Sequence, residues 1–446
     1  MWVGSIGGIC EPFTGNLTML EQISVSGFRS LRDFTLEIKA GLNVLAGPNG
    51  AGKTNIILFF DFFRSFATQT LTEAVGEAGG VAQVFSKKGK NKFSEKIVGV
   101  LSGRVHRRKE AYAYSLKFEI EFSSTQQDVY FSKQELLVEK LPSKGTSTSS
   151  TYAKIVYYTG PDGKPKLDVI EFPGSRKETN WARSQFDELH ERKFYSQNCL
   201  LAYLRHFDDV SGAIANDLSA RFVLNVVPSQ VKKPEDSTRE PGIDSDGSGL
   251  SATLFAIKKG RRVLSSKNVF YIPHRRPPSA PEWSDVIDLI RVAVPSISDV
   301  EVENDPFDNL LRCRITIGTG RKKAVLPLGS MSDGTVKWMS LIVRLLTSRD
   351  ALLLEEPENY LHPLMQKEIV RLLRELIRNS GFTIVSTHSE TLLNAVRPEE
   401  LVLVSYSEEG TKARRVLNSL DVAEEINRTG FGLGYYYLAD AVEVSS

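Results

Sequence analysis

A chain of 446 residues is long enough for two or three compact units at the usual ~100–200 residues each. Hydrophobic residues make up 41% and charged residues 25%, ordinary usage for a soluble globular protein, and no apolar run approaches the ~20 residues of a membrane span. The formal charge of +2 is too near neutral for the whole-molecule field to select nucleic acid, and Cys10, Cys199 and Cys313 form no CxxC or Cys/His cluster, so neither a disulfide framework nor a zinc site is indicated and a reducing cytoplasm is expected.

Residues 1–18 hold Trp2, Ile6 and Ile9 among glycines, without the basic and long apolar regions of a secretory signal, and read as a flexible extension. Strand-like alternation follows at Ile23, Val25 and Phe28, then at Phe34, Leu36 and Ile38, and the largely apolar run Leu42 to Ala46 predicts a buried central strand. After Gly47 to Thr54, the stretch Asn55 to Phe66 lacks Gly and Pro and predicts a buried helix. Ile97 to Val100 and Tyr112 to Phe122 alternate as a half-exposed antiparallel sheet does.

The middle of the chain is less regular. A Ser/Thr run at 146–151, the turn Pro161-Asp162-Gly163 and the polar stretch 229–249 predict loops, while Asn180 to Arg205 and Ala213 to Val226 predict helices. Basic tracts occur at Lys87, Lys88, Lys90 and Lys92, at Arg104, Arg107, Arg108 and Lys109, at Lys258, Lys259, Arg261 and Arg262, and at Arg275 and Arg276; each is ordinary for a solvated surface. Alternating strands and helices resume near Ser284, with helices over 285–294, 336–346 and 362–378 and strands over 312–318, 351–354, 382–386 and 401–404, the pattern of a mainly parallel sheet. The expected division is a flexible extension (1–18), an N-terminal lobe (19–124), an inserted lid or arm (125–280) and a C-terminal lobe (281–446).

Four segments carry chemistry. Gly47-Pro48-Asn49-Gly50-Ala51-Gly52-Lys53-Thr54 matches GxxxxGK[ST] between a strand and a helix: its glycines let backbone N–H groups converge on phosphate oxygens, Lys53 adds a cation and the Thr54 hydroxyl is a ligand for Mg²⁺. Ala351 to Glu358 is an apolar strand ending in adjacent carboxylates, with Glu355 expected to serve the metal and Glu356 to act on the attacking water. Met331-Ser332-Asp333-Gly334-Thr335 precedes a helix, and Ser332 and Gly334 would form an anion site at its N-terminus. His388 follows the strand 382–386 at the sheet edge, where a phosphate needs a donor.

In this order the four segments resemble the Walker A, signature, Walker B and His-switch motifs of ABC-type ATPase heads. More narrowly, ALLLEEPENYLHP and VSTHSE resemble AAA-family proteins related to the RecF, SMC and OLD proteins, as found in bacterial antiphage systems such as Septu. Ile23 to Leu31 resembles the first strand of that group and brings in Arg29 as a nucleotide contact, with Asn55 extending the phosphate loop. The resemblance covers roughly residues 19–122 and 281–405. It implies an α/β P-loop head with a mainly parallel sheet, an antiparallel β-subdomain and an inserted arm. It further implies ATP and Mg²⁺ as ligands and a homodimer or higher oligomer that sandwiches nucleotide between the signature of one copy and the P-loop of the other. The function that follows is ATP hydrolysis regulating a separately encoded effector protein, a nuclease, in antiphage defence; a clamp on duplex DNA is the alternative. The chain departs from the usual pattern at Met331-Ser332-Asp333-Gly334-Thr335, at Glu355 in place of Asp, and at His362 in the D-loop. After residue 405 no Glu followed by a DxD pair in a strand context marks a nuclease of its own.

Overall fold

A computed structural model describes residues 18–87, 93–107, 110–123, 127–142, 148–159, 165–171, 184, 188, 194–204, 208–219, 221–261, 263, 281–347, 351–377, 381–439 and 441–442. The expectations for most of 1–18, for the turn at 161–163, for much of the helix at 180–205, and for Lys88, Lys90, Lys92, Arg108, Lys109, Arg262, Arg275 and Arg276 lie outside the described residues. The chain divides into two compact units, one made of residues 1–29, 35–38 and 65–219, the other of 30–34, 39–64 and 220–446. Neither division falls at 124/125 or 280/281.

The first unit is built on a seven-stranded sheet in the order Phe34–Glu37, Thr18–Ser26, Lys96–Arg107, Glu110–Ser123, Asp128–Lys140, Ser150–Thr159, Pro165–Glu171. From Thr18–Ser26 onward every neighbouring pair is antiparallel. Alternation sets its inner face: Tyr112, Tyr114, Leu116, Phe118 and Ile120 are all buried, two residues apart. Opposite Phe118 stands Gly99, and a Cβ there would lie 2.2 Å from the ring, so glycine makes room for the aromatic. Phe66 and Phe131 close edge-on around Phe118, with centroids 5.1 Å and 6.4 Å from it. Buried Gln134 donates to the carbonyls of Tyr195 and Asn198 and accepts from the Leu200 amide, which fastens the following helices to the sheet. The strands Asp128–Lys140, Ser150–Thr159 and Pro165–Glu171, which lie within the arm expected over 125–280, therefore continue the sheet that Thr18 begins.

The second unit holds a six-stranded sheet in the order Gly410–Arg415, Leu401–Ser407, Gly41–Ala46, Phe382–Thr387, Ala351–Glu355, Arg221–Leu224. The five from Leu401–Ser407 to Arg221–Leu224 are parallel and the outer Gly410–Arg415 is antiparallel. The strand Arg221–Leu224 corrects the helix expected over 213–226: the helix is Asp209–Ser219, and the short aromatic and β-branched run after it joins the sheet edge. Beside this sheet stands a smaller antiparallel one in which Leu310–Ile317 pairs with Ile297–Asn304, with Ala324–Pro327 and with Glu235–Asp236.

Helix Asp333–Thr347 runs through the core of this unit and is buried nearly all round, with Val336, Trp338, Met339, Leu341 and Ile342 among its apolar contacts. One stripe of it is nonetheless polar, Lys337, Ser340, Arg344 and Thr347, and each is at most 3% exposed. Ser340 donates to the carbonyl of Gly247, and the Arg344 guanidinium stacks 3.7 Å above the Phe222 ring and donates to Ile243 O. No helix among the described residues is long and apolar enough to cross a membrane.

Candidate functional site

Three adjacent parallel strands of the second unit end together, because the register pairs Ala46 with Thr387 and Ser386 with Glu355. The loops after them, which begin at Gly47, Glu356 and His388, therefore leave one edge of the sheet, where open α/β folds place their ligands.

The first loop turns into helix Lys53–Thr68. Gly50 and Gly52 have φ of +81° and +101°, and a Cβ on Gly52 would lie 2.0 Å from the Thr411 hydroxyl. Beneath the loop, Asn55 Nδ2 donates to Ser30 Oγ at 2.7 Å, and Ser30 and Thr411 share a 2.7 Å hydroxyl contact. Asn55 thus braces the loop through its side chain. The Lys53 ammonium curls back to donate to Gly47 O at 2.6 Å and Pro48 O at 3.1 Å. Burial lowers its pKa, and the negative charges of Glu356 and Glu358 oppose that shift. Pro48, Asn49, Gly50 and Thr54 are exposed, Gly47 and Ala51 buried.

The second loop starts with Glu356 in the left-handed region, at φ +42°. Its amide donates to Ser386 O at 3.1 Å, Asn359 Nδ2 donates to its Oε2 at 3.0 Å, and its Oε1 lies 3.4 Å from His388 Nδ1. Glu355, one residue earlier, accepts from Asn225 Nδ2 at 3.4 Å. Glu358, only 5% exposed, accepts on Oε1 from Thr387 Oγ1 at 2.6 Å and from the His388 amide at 3.1 Å, while its buried Oε2 has no hydrogen-bond partner among the described residues. The strand ends thus bring Lys53, Glu356, Glu358 and His388 into one neighbourhood.

Ser332 and Gly334 belong to the same unit, at the start of helix Asp333–Thr347. Ser332 Oγ accepts from the Thr335 amide at 3.3 Å and caps helix Asp333–Thr347. A Cβ on Gly334 would lie 2.4 Å from Tyr360 O, so this turn packs against the second loop of its own chain. Among the described residues no hydrogen bond joins Ser332 or Gly334 to Gly47–Thr54. Arg29 belongs to the first unit, where its Nη2 donates to Ala78 O at 3.1 Å.

Two residues to which sequence reasoning gave no role stand out. Glu358 fixes the start of the His388 loop, and the orphan oxygen it buries is an acceptor awaiting a donor. Lys337, 2% exposed, donates from Nζ to Glu356 O at 3.2 Å. Its signal was a cation set, like Arg344, within a helical run that is mostly apolar. For a divalent cation, the Thr54 hydroxyl, the Glu355 carboxylate and the unpartnered Glu358 Oε2 are hard oxygen donors of the kind Mg²⁺ takes. Among the described residues no group of three or more His, Cys, Asp or Glu is arranged for a metal.

Two family models match the sequence: one described as "AAA domain" over residues 22–157, the other as "AAA domain, putative AbiEii toxin, Type IV TA system" over 205–394. The first match contains Gly47–Thr54; the second contains Ser332, Glu355, Glu356 and His388. No curated protein matches the chain. Among solved structures, an SMC head bound to the C-terminal winged-helix domain of ScpA is similar at 14% identity, with 89% of this chain and 97% of that one covered and a TM-score of 0.45. The SMC head domain from Thermotoga maritima is 12% identical over 90% of this chain and 99% of its own, with a TM-score of 0.36. An SMC head with a coiled coil and joint from Pyrococcus yayanosii is 11% identical over 92% and 100%, with a TM-score of 0.42.

Proposed function

We propose that this chain binds ATP with Mg²⁺ and hydrolyses it, that two copies close around the nucleotide, and that this cycle regulates a separately encoded effector, a nuclease, in bacterial antiphage defence. The observation that carries the ATPase reading is the meeting of the glycine loop, Glu356 and His388 at the ends of three neighbouring parallel strands. Defence rests on the motif resemblance, alongside the toxin–antitoxin description of one matching family.

Phosphate oxygens would take the loop N–H groups, and Lys53 would exchange its contacts with Gly47 O and Pro48 O for the terminal phosphates. Glu356 orients the attacking water and takes its proton. His388, 3.4 Å from that carboxylate, donates to the transferring phosphoryl group. Thr54 and Glu355 would hold Mg²⁺, which supplies charge neutralisation between the phosphates. Ser332 and Gly334, remote from their own loop in hydrogen bonding, would cover the nucleotide of a second copy.

Lys53→Ala should abolish tight ATP binding, whereas Glu356→Gln should keep binding, accumulate dimer on a sizing column and lower phosphate release about 10²-fold. Turnover by Glu356→Gln at the parent rate would refute the assignment. For the effector, the native complex is purified from its own cells and the second polypeptide identified; a chain that purifies alone and acts alone would refute regulation in trans. A second reading, a duplex DNA clamp, draws on the exposed cluster Lys258, Lys259 and Arg261 at the end of helix Leu250–Lys258. Salt-sensitive DNA binding lost on neutralising these three would favour it.

A further inference from the structure

We propose that Lys337 is a positioning residue that holds Glu356 in its working orientation and so ties the first turn of helix Asp333–Thr347 to the carboxylate of the same chain's site. The inference rests on the reading of Glu356 given above, but its geometry stands apart from that reading. Three contacts join this turn to the loop 356–360. The Lys337 ammonium donates to Glu356 O at 3.2 Å, it lies 5.9 Å from the centroid of the Tyr360 ring, and Gly334 lies so close to Tyr360 O that a Cβ would come within 2.4 Å of it.

Both ends of the gripped loop are strained, Glu356 at φ +42° and Tyr360 at φ +67°. A non-glycine residue there costs about 1–3 kcal/mol and persists only where its surroundings over-determine it. Lys337 supplies that determination at Glu356, where the carbonyl it holds belongs to the residue whose side chain faces His388. An ammonium is an expensive way to fill a core position. Burial pushes its pKa down to about 8 against the pull of Glu358 and Glu356, and an apolar residue of like volume would pack there without that burden. A cation kept at this cost at the elbow of a strained loop is explained by the orientation it imposes. The same link gives the signature turn a route to the catalytic loop: a second copy's nucleotide pressing on Ser332 and Gly334 acts on the helix turn that grips Glu356.

The test uses the full chain with Lys337→Met and Lys337→Arg. In the nucleotide-free protein, hydrogen exchange of the amides of Glu356, Asn359 and Leu361, which donate to Ser386 O, Glu356 O and Glu358 O, should quicken at least tenfold in the Met variant and largely recover in the Arg variant. With ATP, the Met variant should show kcat lowered about 10- to 100-fold with nucleotide Kd within about twofold of the parent. Unchanged exchange in the Met variant overturns the proposal whatever the enzyme does, as does a loss confined to Kd. If the Met variant fails to fold, the Arg variant decides: parent-like exchange with a parent-like kcat supports the role of the cation, and a kcat lowered as far as in Glu356→Gln overturns it. A parent that shows the exchange effect but no turnover refutes the ATPase reading and leaves the link standing.

Discussion

Lys337→Met should make the nucleotide-free protein more stable at neutral pH, and the gain should vanish in alkali. Burial holds the folded-state pKa of Lys337 near 8, against 10.5 for a free lysine. That gap of about 2.5 units corresponds to roughly 3 kcal/mol at 1.36 kcal/mol per unit. The sign follows from proton uptake. Below the folded value both states carry the proton and the folded state bears the whole burden; between about 8 and 10.5 only the unfolded chain keeps it, so parental stability rises with pH through this window. The hydrogen bond to Glu356 O returns about 1 kcal/mol, leaving the Met variant ahead by about 2 kcal/mol near pH 7. Raising the pH to about 9.5 should bring the parent up by roughly 2 kcal/mol relative to the variant and erase the difference. Urea denaturation of both proteins at the two pH values measures this, and other titrating groups cancel in the comparison. Parallel pH profiles, or a Met variant less stable at neutral pH, would refute the reasoning.

Gly52→Ala should destabilise the nucleotide-free protein by about 1–3 kcal/mol and weaken ATP binding more than tenfold, because φ is +101° and the added Cβ meets the Thr411 hydroxyl at 2.0 Å. Gly50→Ala, with positive φ but nothing within 4 Å of the new Cβ, should cost at least about 1 kcal/mol less in the same melt, and equal losses would discount the Thr411 contact. Arg374 grips Glu400 with two hydrogen bonds, at 2.7 and 2.5 Å, and donates to Ala395 O. Arg374→Lys cannot make that fork and should lower stability by about 1 kcal/mol and the melting temperature by about 2 °C; a parental melting curve would refute this.

The parallel sheet was legible where strands are buried on both faces, since Leu42–Ala46 and Phe382–Ser386 are short, largely apolar runs of the kind such strands need. Their mutual order is not written locally, and so the edge strand Arg221–Leu224, a four-residue run close behind a helix, reads locally as more helix. The same limit hid the reach of the antiparallel sheet: Asp128–Lys140 alternates clearly, but its partner Glu110–Ser123 is set by tertiary pairing. Within the candidate site, the residues proposed to meet phosphate stand in spaced motifs. Lys337 and Glu358 are singular residues whose importance lies in what surrounds them. Only the packed helix shows that Lys337 is buried, and only the adjoining strand end shows that Glu358 Oε1 spans Thr387 and His388.

The glycine loop leans on parts of the chain that are synthesised long after it. Ser30 meets Thr411 across 381 positions of sequence, and the strand that feeds the loop lies between Phe382–Thr387 and Leu401–Ser407. At about 5–20 residues per second, a ribosome needs roughly 20–70 s to reach those flanking segments after releasing the loop. The arrangement around Gly47–Thr54 is therefore completed in a late, long-range closure, after the rest of the sheet has been made.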